Sequence, residues 1–550
     1  MAGGLLNIIS SGNNNIFLTG NPNKTFFKVT YVKYTNFGMQ KFRIDYSGLR
    51  ELRPSEDSHF TFKIPRYADL LMDTYIVLTL PDIWSPVFAP CDETQQKWSP
   101  YDFKWIKDLG THMIKEITIN CGGLMLQRYT GEYLAAMVER DFTTEKKQLF
   151  DEMTGNVTEL NNPAYAFGRT NAYPSAAFTT SSTGAEPSIR GRNLYIPVNT
   201  WFTLNSNCAF PLVALQYNEL SISVTFRPIQ DLFQVRDVHD PDFSFPYVKP
   251  NFNESRFQMY RFLQTPPSSY VSAEYYENKI STWNADVHLL STYCFLSKEE
   301  TQKFAAEDHV YLVKDVYEHN YENVLGSKRL KVETNGMISN WMWFLRRNDA
   351  NLRNEWSNYT NWPYHSLPSN ITLAPITPFS DSELTVGMGV HPTTTQQNTG
   401  ITITGNFHPE NRKDILETMG ILLNGEYREN LMTKGVYQYV EKYVRTKGNA
   451  KDGLYCYNFC LNTSPFEYQP SGAINMSKFK NIEIELNTYI PTIDPSGSSF
   501  DVVCDDNGNL IGVRKSRYSL YEYSYNLTLF EERYNVLSII GGNCGMMYAR

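Results

Sequence analysis

The 550-residue chain contains no apolar run of the length that a membrane-spanning helix requires. Such a helix needs roughly 20 consecutive apolar residues. Near the start, the apolar stretch at residues 5–9 has neither the length nor the basic flank of a signal peptide, and Ala2 stands where N-myristoylation requires glycine. The sequence therefore predicts a soluble chain made in the cytosol, whose membrane contacts, if it has any, are peripheral.

Cysteine is also scarce, because eight cysteines in 550 residues are too few for a disulfide scaffold. The closest pair, Cys456 and Cys460, falls in the alternating run GLYCYNFCLN. Four residues of an extended strand span roughly 13 Å, which is too far for a disulfide or for shared zinc ligation. The sequence predicts reduced, structural thiols.

The chain lacks a strongly basic composition. Its net charge of -8 and its pI near 5.7 argue against a protein whose main work is to neutralise phosphates. The segment Met1–Ile44 is the exception, with five basic residues and no acidic residue. This segment either faces an acidic partner surface or is a basic arm packed on acidic parts of its own fold or of its neighbours. We expect no direct contact with nucleic acid.

Motifs for catalysis are missing as well. There is no HExxH, no GK[ST] phosphate loop and no GxSxG elbow, and Pro392 replaces the third glycine of a dinucleotide fingerprint in GMGVHP. DVHDPD, Asp237–Asp242, is the most metal-like stretch but also fits a solvated linker, and DDNGN at 505–509 fits a hairpin turn. We therefore predict no catalytic, cofactor-binding or metal-binding residue and no cofactor. Carboxylate pairs of the glycosidase type stay open, because only their separation in space identifies them.

Aromatic, proline and glycine residues are plentiful, with 37 Tyr, 32 Phe, 28 Pro and 32 Gly. Aromatic residues favour strands, and proline and glycine favour turns, so the chain is predicted to be mainly β. Period-two alternation predicts strands with one wet face in FTFKI, in ELSISVTFRP and in NIEIEL, which follows a PSG turn. NWMWFL, at 340–345, predicts a strand buried on both faces.

Helical signals are few. Ser297–Glu300 fits a capping box, in which Glu300 reaches back to the Ser297 amide, followed by a short helix ending near His309. Gly131–Phe142 predicts a second helix. Between the strand-rich regions lie long connections at 84–105, 154–192 and 348–400, and we interpret the last as an outward-facing loop.

Five segments carry a resemblance to a known family, in order and over nearly the whole chain. They are MAGGL, FLTGNPNKTFFKVTYVKYTNF, ALQYNELSISVTF, YQPSGAINMSKF and YNVLSIIGGNCGMMYA. Together they resemble the major capsid protein of nucleocytoplasmic large DNA viruses. The resemblance implies an all-β chain of two consecutive eight-stranded jelly rolls, the double jelly roll, with long loops and a few short helices. It also implies that ALQYNELSISVTF closes the first jelly roll and that the strand after PSG is a late strand of the second.

The resemblance further implies a domain order and a function. We expect an N-terminal arm at 1–27, a first jelly roll at 28–228, a connector at 229–267 and a second jelly roll at 268–550. Three chains would form a pseudo-hexagonal capsomer that tiles an icosahedral shell over an internal membrane, in a virion assembled in the host cytoplasm.

The partners implied are the other chains of the homotrimer, neighbouring capsomers, and minor capsid and penton proteins. The N-terminal arm would touch the internal membrane peripherally. The alternative from a different class is a jelly-roll protein that binds or cleaves carbohydrate, since Tyr and Trp on a sandwich face can stack on sugars. The capsid interpretation predicts a structural protein rather than an enzyme.

Overall fold

The structure is a computed structural model that describes most of the chain. The described residues are 3–10, 12–85, 102–170, 172–174, 176, 186–237, 246–254, 257–266, 276–365, 412–491, 501–504, 510–514, 520 and 522–548. The metal-like stretch beyond Asp237, GMGVHP, DDNGN and most of the loop predicted at 348–400 lie outside these residues.

Antiparallel strands dominate the described residues, in agreement with the alternating sequence patterns. In chain order they are β1 (Phe37–Asp45), β2 (Ser58–Lys63), β3 (Leu70–Thr79), β4 (Phe103–Trp105), β5 (Ile114–Cys121), β6 (Leu124–Tyr129), β7 (Asn193–Pro197), β8 (Phe210–Pro211), β9 (Leu220–Phe226), β10 (Phe233–Arg236), β11 (Tyr247–Val248), β12 (His288–Leu296), β13 (His309–Val324), β14 (Ser327–Lys331), β15 (Met337–Arg347), β16 (Leu416–Leu423), β17 (Glu426–Thr433), β18 (Leu454–Asn458), β19 (Ile474–Asn475), β20 (Ile482–Thr488), β21 (Asp501–Cys504), β22 (Leu510–Arg514), β23 (Tyr525–Ile540) and β24 (Asn543–Met546).

The helices are short and lie between the strands. They are α1 (Gly3–Ile9), α2 (Ile16–Thr19), α3 (Leu109–His112), α4 (Gly131–Asp141), α5 (Thr144–Thr154), α6 (Thr158–Asn161), α7 (Trp201–Leu204), α8 (Lys298–Ala306) and α9 (Glu441–Arg445), which continues a π-helical turn at Val436–Val440. Turns of 3-10 helix occur at Asn13–Asn15, Pro163–Gly168, Ser206–Cys208, Leu212–Ala214, Ile229–Asp231, Met259–Arg261, Ala350–Leu352 and Met476–Lys478.

Two four-stranded sheets face each other in the first half of the molecule. Their strand orders are β1-β12-β3-β7 and β2-β9-β5-β6, and β8 adds to β3 at the margin. Burial alternates along β2 and β9, so the apolar residues of FTFKI and ELSISVTFRP point into the core between the sheets, as predicted. This is an eight-stranded jelly roll.

The second half repeats the same arrangement. Its sheets have the orders β13-β23-β15-β18 and β14-β20-β16-β17. The eight main strands are β1, β2, β3, β5, β6, β7, β9 and β12 in the first half, and β13, β14, β15, β16, β17, β18, β20 and β23 in the second. Numbered 1 to 8 along the chain, they form two sheets in each half, with the strand orders 1-8-3-6 and 2-7-4-5. β15 is buried on both faces over NWMWFL, and β20 alternates as predicted, with Ile482, Ile484 and Leu486 in the core. The all-β double jelly roll is confirmed.

The first jelly roll closes later than the resemblance implied. β9, the strand of ALQYNELSISVTF, is the seventh strand, and the closing eighth strand is β12, which pairs with both β1 and β3. Residues 288–296 therefore belong with the first half, although the sequence placed them in the second jelly roll at 268–550. Within the predicted connector 229–267, β10 and β11 pair in a small sheet with β4. The other predicted boundaries stay predictions.

Both predicted helices form, with one difference in capping. α4 begins after Thr130, whose side chain accepts a hydrogen bond from the Tyr133 amide. α8 begins after Ser297, but the Ser297 side chain makes no capping bond. Instead of reaching back to Ser297, Glu300 accepts a hydrogen bond from Thr35. α8 ends at Ala306, because the chain is already extended as β13 at His309.

Candidate assembly surfaces

The two jelly rolls meet at α4, which follows β6, the fifth main strand of the first jelly roll. Ten of its 11 residues are buried. One side of α4 packs on α3 and β5 of the first jelly roll, and the other contacts the outer face of the sheet β13-β23-β15-β18, where Tyr133 packs edge-on against Phe530 with ring centroids 5.6 Å apart. The Tyr133 hydroxyl donates a hydrogen bond of 3.0 Å to Glu532. α4 therefore joins the two halves through both apolar and polar contacts.

A largely buried charge cluster lies at the end of α4. The Arg140 guanidinium donates to Asp141 at 2.6 Å, to Glu532 at 2.7 Å and to Asn340 at 2.6 Å. Lys314 adds a second positive charge, 3.4 Å from the Glu532 carboxylate. Charges without water need such partners, because a buried charge left alone is costly. The cluster thus fixes how the first jelly roll sits on the second.

The pKa values of the cluster reflect this pairing. Burial alone would raise the pKa of Glu532, but the charges of Arg140 and Lys314 outweigh burial and lower it to about 2. Burial raises the pKa of Asp141 despite its pairing with Arg140. For Glu532, the attraction to its cationic partners exceeds the cost of desolvation.

Two further ion pairs cross the junction. Glu132 of α4 accepts from Arg346 of β15 at 2.9 Å, and Asp108 lies 3.0 Å from Lys451. Burial opposes ionisation of Glu132, yet the charges of Arg346 and Arg227 lower its pKa to about 2. The junction is therefore held by charge pairs spread along its length as well as by its apolar core.

Sequence reasoning missed this cluster, although a signal was present. In β23, TLFEERYNV places Glu531 and Glu532 next to each other in the middle of a strand that is mostly buried. Both carboxylates are buried. Adjacent strand residues point to opposite faces, so two neighbouring charges in a buried strand require a partner on each face.

The second jelly roll has a helical segment in the position that α4 occupies in the first. Residues 436–445 follow β17, which is its fifth main strand. Unlike α4, this segment leaves four large apolar side chains in solvent, and the most exposed is Tyr443 at 92%. We call this surface the aromatic helix face; its residues are Tyr439, Val440, Tyr443 and Val444.

The outer sheet faces of the two jelly rolls also differ in exposure, but here the exposed surface belongs to the first jelly roll. In the second jelly roll, the outer face of β13-β23-β15-β18 is covered by α4. In the first, β1 contributes Phe37 and Met39 to the outer face, and both are exposed, Met39 at 60%. Strand register places Tyr75 and Leu290 opposite each other on that same side of β1-β12-β3-β7, half-buried. We call Phe37, Met39, Tyr75 and Leu290 the open sheet face.

A third exposed surface consists of the N-terminal arm, residues 1–27, and the chain that continues from it to β1. α1, α2 and the extended chain before β1 show no buried residue among those described. Large apolar side chains along it lie in solvent, including Phe17 and Leu18, and Phe27 is 98% exposed. Contiguous exposed apolar surface of this kind marks a site of interaction with another molecule.

Metal-binding clusters are absent from the part of the chain that the structure describes. No group of three or more His, Cys, Asp or Glu side chains there is arranged to hold a metal ion. Among the described residues, no helix is long and apolar enough to cross a membrane.

Comparison with known sequences matches both halves of the chain. Residues 25–282 match the family described as "Major capsid protein N-terminus", and residues 300–545 match "Large eukaryotic DNA virus major capsid protein". The chain is 23% identical to the major capsid protein of Chrysochromulina ericina virus over 646 aligned residues, and 23% identical to that of Paramecium bursaria Chlorella virus 1 over 551. Both alignments cover 100% of each protein.

Solved structures share the fold. The crystal structure of PBCV-1 VP54, fitted into a reconstruction of the virophage Sputnik, superposes with a TM-score of 0.59 at 18% identity, over 96% of this chain and 100% of that one. The Faustovirus major capsid protein superposes with a TM-score of 0.57 at 12% identity, over 96% and 94%. The carbohydrate alternative gains no support from these comparisons.

Proposed function

Because the chain belongs to the family of major capsid proteins of large eukaryotic DNA viruses, we propose that three copies close into a pseudo-hexagonal capsomer by packing the aromatic helix face of each copy on the open sheet face of the next. The protein is a structural component of the virion capsid and not an enzyme. The oligomer and its contact surfaces are the proposal.

The observation that carries this proposal is the mismatch between equivalent surfaces. Inside one chain, the helix of the first jelly roll is covered by the outer sheet face of the second. The helix of the second jelly roll and the outer sheet face of the first are the two partners left over. Both carry exposed apolar side chains, Tyr443 and Met39 among them. A second copy supplies each with the partner that its equivalent already has within the chain.

Such a contact is heterologous, since it joins two different surfaces. Heterologous contacts repeat until a ring closes. If each junction turns the chain by about one sixth of a circle, six jelly rolls close the ring, and six jelly rolls are three chains. A nearly hexagonal block can then tile flat facets of an icosahedral shell with repeated side-to-side contacts between neighbouring capsomers.

The test places a charge in the centre of the aromatic helix face. Tyr443→Asp should convert the purified trimer to monomers, because an aspartate would have to be desolvated against the open sheet face. Met39→Asp on the other surface should have the same effect. Light scattering coupled to size exclusion gives the mass in solution, to be compared with the 63.4 kDa of one chain.

Leu149→Asp provides the matched control, because Leu149 is also an exposed apolar residue on a helix, α5, but lies outside both surfaces. This variant should remain trimeric. In all three variants the fold of the single chain should stay intact, with a cooperative thermal unfolding transition like that of the wild-type chain. A trimer that survives Tyr443→Asp and Met39→Asp would contradict the proposed contact, and a wild-type monomer would contradict the capsomer itself.

The second part of the proposal concerns the position of the N-terminal arm in the shell and the molecules that it contacts. Its apolar side chains, together with five basic residues and no acidic residue over Met1–Ile44, suit a surface that is both apolar and anionic. We infer that the arm lies on the inner side of the shell and contacts minor capsid proteins or the internal membrane, in particles assembled in the host cytoplasm. Contacts of the shell with penton proteins belong to the same proposal.

Deletion of Met1–Asn15 tests this placement. Trimers should persist, since the jelly-roll strands begin at Phe37, whereas incorporation into particles should fall. Mass in solution and the protein content of purified particles are the two measurements. Loss of the trimer on deletion would instead make the arm a clamp within the capsomer.

A further inference from the structure

Two cysteines from distant parts of the chain meet where the C-terminal hairpin packs on the first jelly roll. Cys121 is the last residue of β5 and lies opposite Leu220 of β9. Cys544 is in β24, which pairs with β23 as a hairpin. The turn of this hairpin is fixed to the first half, because the amides of Gln216 and Tyr217 donate to the Gly542 carbonyl at 3.2 and 3.4 Å.

The side chains of the two cysteines lie in contact. Cys121 is buried, and Cys544 is half-buried and packs against the core cluster that contains Cys121. The thiols form a hydrogen bond, which lowers the pKa of Cys121 and raises the pKa of Cys544. Arg66 adds a positive charge that also favours the Cys121 thiolate. Cys121 is therefore the thiol whose ionised form is favoured, whereas Cys544 is the more exposed of the two and the one that a small molecule can reach.

The other cysteines with described side chains have a different environment. Burial raises the pKa of Cys208, Cys294 and Cys460, and it raises the pKa of Cys456 to about 11. Thiols of this kind are inert. Cys456 and Cys460 are free in the structure, and their reduced state stays a prediction.

We propose that Cys121 and Cys544 form a disulfide that fastens the C-terminal hairpin to the first jelly roll when the protein meets an oxidising environment. In the cytosol the pair stays reduced, and outside the cell small-molecule disulfides can oxidise it. The bond itself does not depend on the capsomer, whereas its timing, at particle release, rests on the proposed capsid assembly.

The reaction is thiol–disulfide exchange with oxidised glutathione. The more exposed Cys544 loses its proton, attacks one glutathione sulfur, forms a mixed disulfide and releases one glutathione thiolate. The Cys121 thiolate then attacks the Cys544 sulfur and releases the second glutathione thiolate. Two protein thiols are oxidised, one glutathione disulfide is reduced to two glutathione thiols, and the two protons pass to the released thiolates.

The resulting cross-link would restrict the unfolded chain strongly, because the loop that it closes contains most of the protein. It would also hold the end of β23, the closing strand of the second jelly roll, against the first jelly roll. A particle outside the cell would gain a covalent contact between its two jelly rolls in addition to the charge pairs at α4.

The experiment treats the purified full-length protein with oxidised glutathione, blocks remaining thiols by alkylation and maps peptides by mass spectrometry without reduction. We expect a peptide pair that joins Cys121 to Cys544 within one chain. We also expect an apparent melting temperature several degrees higher than that of the reduced protein, and a return to the reduced value when dithiothreitol is added.

Variants sharpen the result. Cys121→Ser and Cys544→Ser should each remove the rise in melting temperature on oxidation, and Cys208→Ser, at another half-buried cysteine, should keep it. The same cross-link should form in the Tyr443→Asp variant, so failure of the capsomer proposal leaves this test intact. Separate alkylation of Cys121 and Cys544 after oxidation, a mixed glutathione disulfide as the end product, or a bond between chains would each overturn the proposal.

Discussion

The two jelly rolls have the same strand order but opposite exposed surfaces. In the first, the helix after the fifth strand is buried and the outer sheet face is open; in the second, that sheet face is buried and the corresponding helix is open. Under the proposed capsomer, equal topology with unequal exposure means that the chain satisfies one copy of a repeated contact internally. The same difference leaves one copy of each surface for another molecule.

The largest effect is expected where the internal contact depends on buried charge. Arg140→Met would leave the Glu532 and Asp141 carboxylates buried without their guanidinium partner. Removing one partner of a buried ion pair costs about 3–5 kcal/mol. Chemical denaturation measures the loss. Arg53→Met, which breaks the exposed pair with Glu56, should leave stability nearly unchanged, and an equal effect of both variants would rule out the special role of the cluster.

A comparable effect is expected in the two seventh strands, β9 and β20. Ile222→Ala and Ile484→Ala each remove a buried side chain and should cost about 2–5 kcal/mol. Because α4 interlocks the halves, both variants should lower the same unfolding transition, monitored by calorimetry. Glu483→Ala, on the wet face of β20, is the control. Two separate transitions, each sensitive to one variant, would show that the jelly rolls unfold independently.

The third largest effect is expected from acid, which should weaken the junction between the two jelly rolls. The folded-state pKa of Glu532 and Glu132 is lowered to about 2 from an ordinary value of 4.5. A lowered pKa contributes stability that is fully present above pH 4.5 and is lost as pH falls toward 2, by up to roughly 3 kcal/mol for each group. Melting temperatures at pH 7, 4.5 and 3 measure this loss.

Two variants check the assignment of the acid effect. Glu532→Gln should reduce the loss between pH 4.5 and 3. Burial raises the pKa of Asp102 to about 6, so this carboxyl contributes stability at low pH that is lost as pH rises through 6. Asp102→Asn should therefore enlarge the acid loss. If neither variant changes the pH profile, other groups control it.

The smallest effect is expected at the helix caps. Thr130 caps α4, where it also donates to Glu318 across the junction at 3.1 Å, whereas Thr143 caps the neighbouring α5. Thr130→Ala should cost about 1–2 kcal/mol, and Thr143→Ala about 0.5–1 kcal/mol. Urea midpoints of the two variants measure the difference. Equal costs would mean that the Glu318 contact adds nothing to the cap.

Local patterns predicted much of this fold. Alternation in FTFKI, ELSISVTFRP and NIEIEL identified β2, β9 and β20, and the run NWMWFL identified the doubly buried β15. These features follow from the period of side chains along a strand and from burial, which are encoded within a few residues. The helix α4 was also predicted from a local segment, Gly131–Phe142.

Only the tertiary structure decided which strands pair, which surfaces remain open and which charges meet. β12 closes the first jelly roll although many residues separate it from β9, and Arg140 meets Glu532 from the far end of the chain. Cys121 and Cys544 were likewise unremarkable until the C-terminal hairpin brought them together. Sheet pairing and buried contacts join residues that are distant in sequence, so no local pattern determines them.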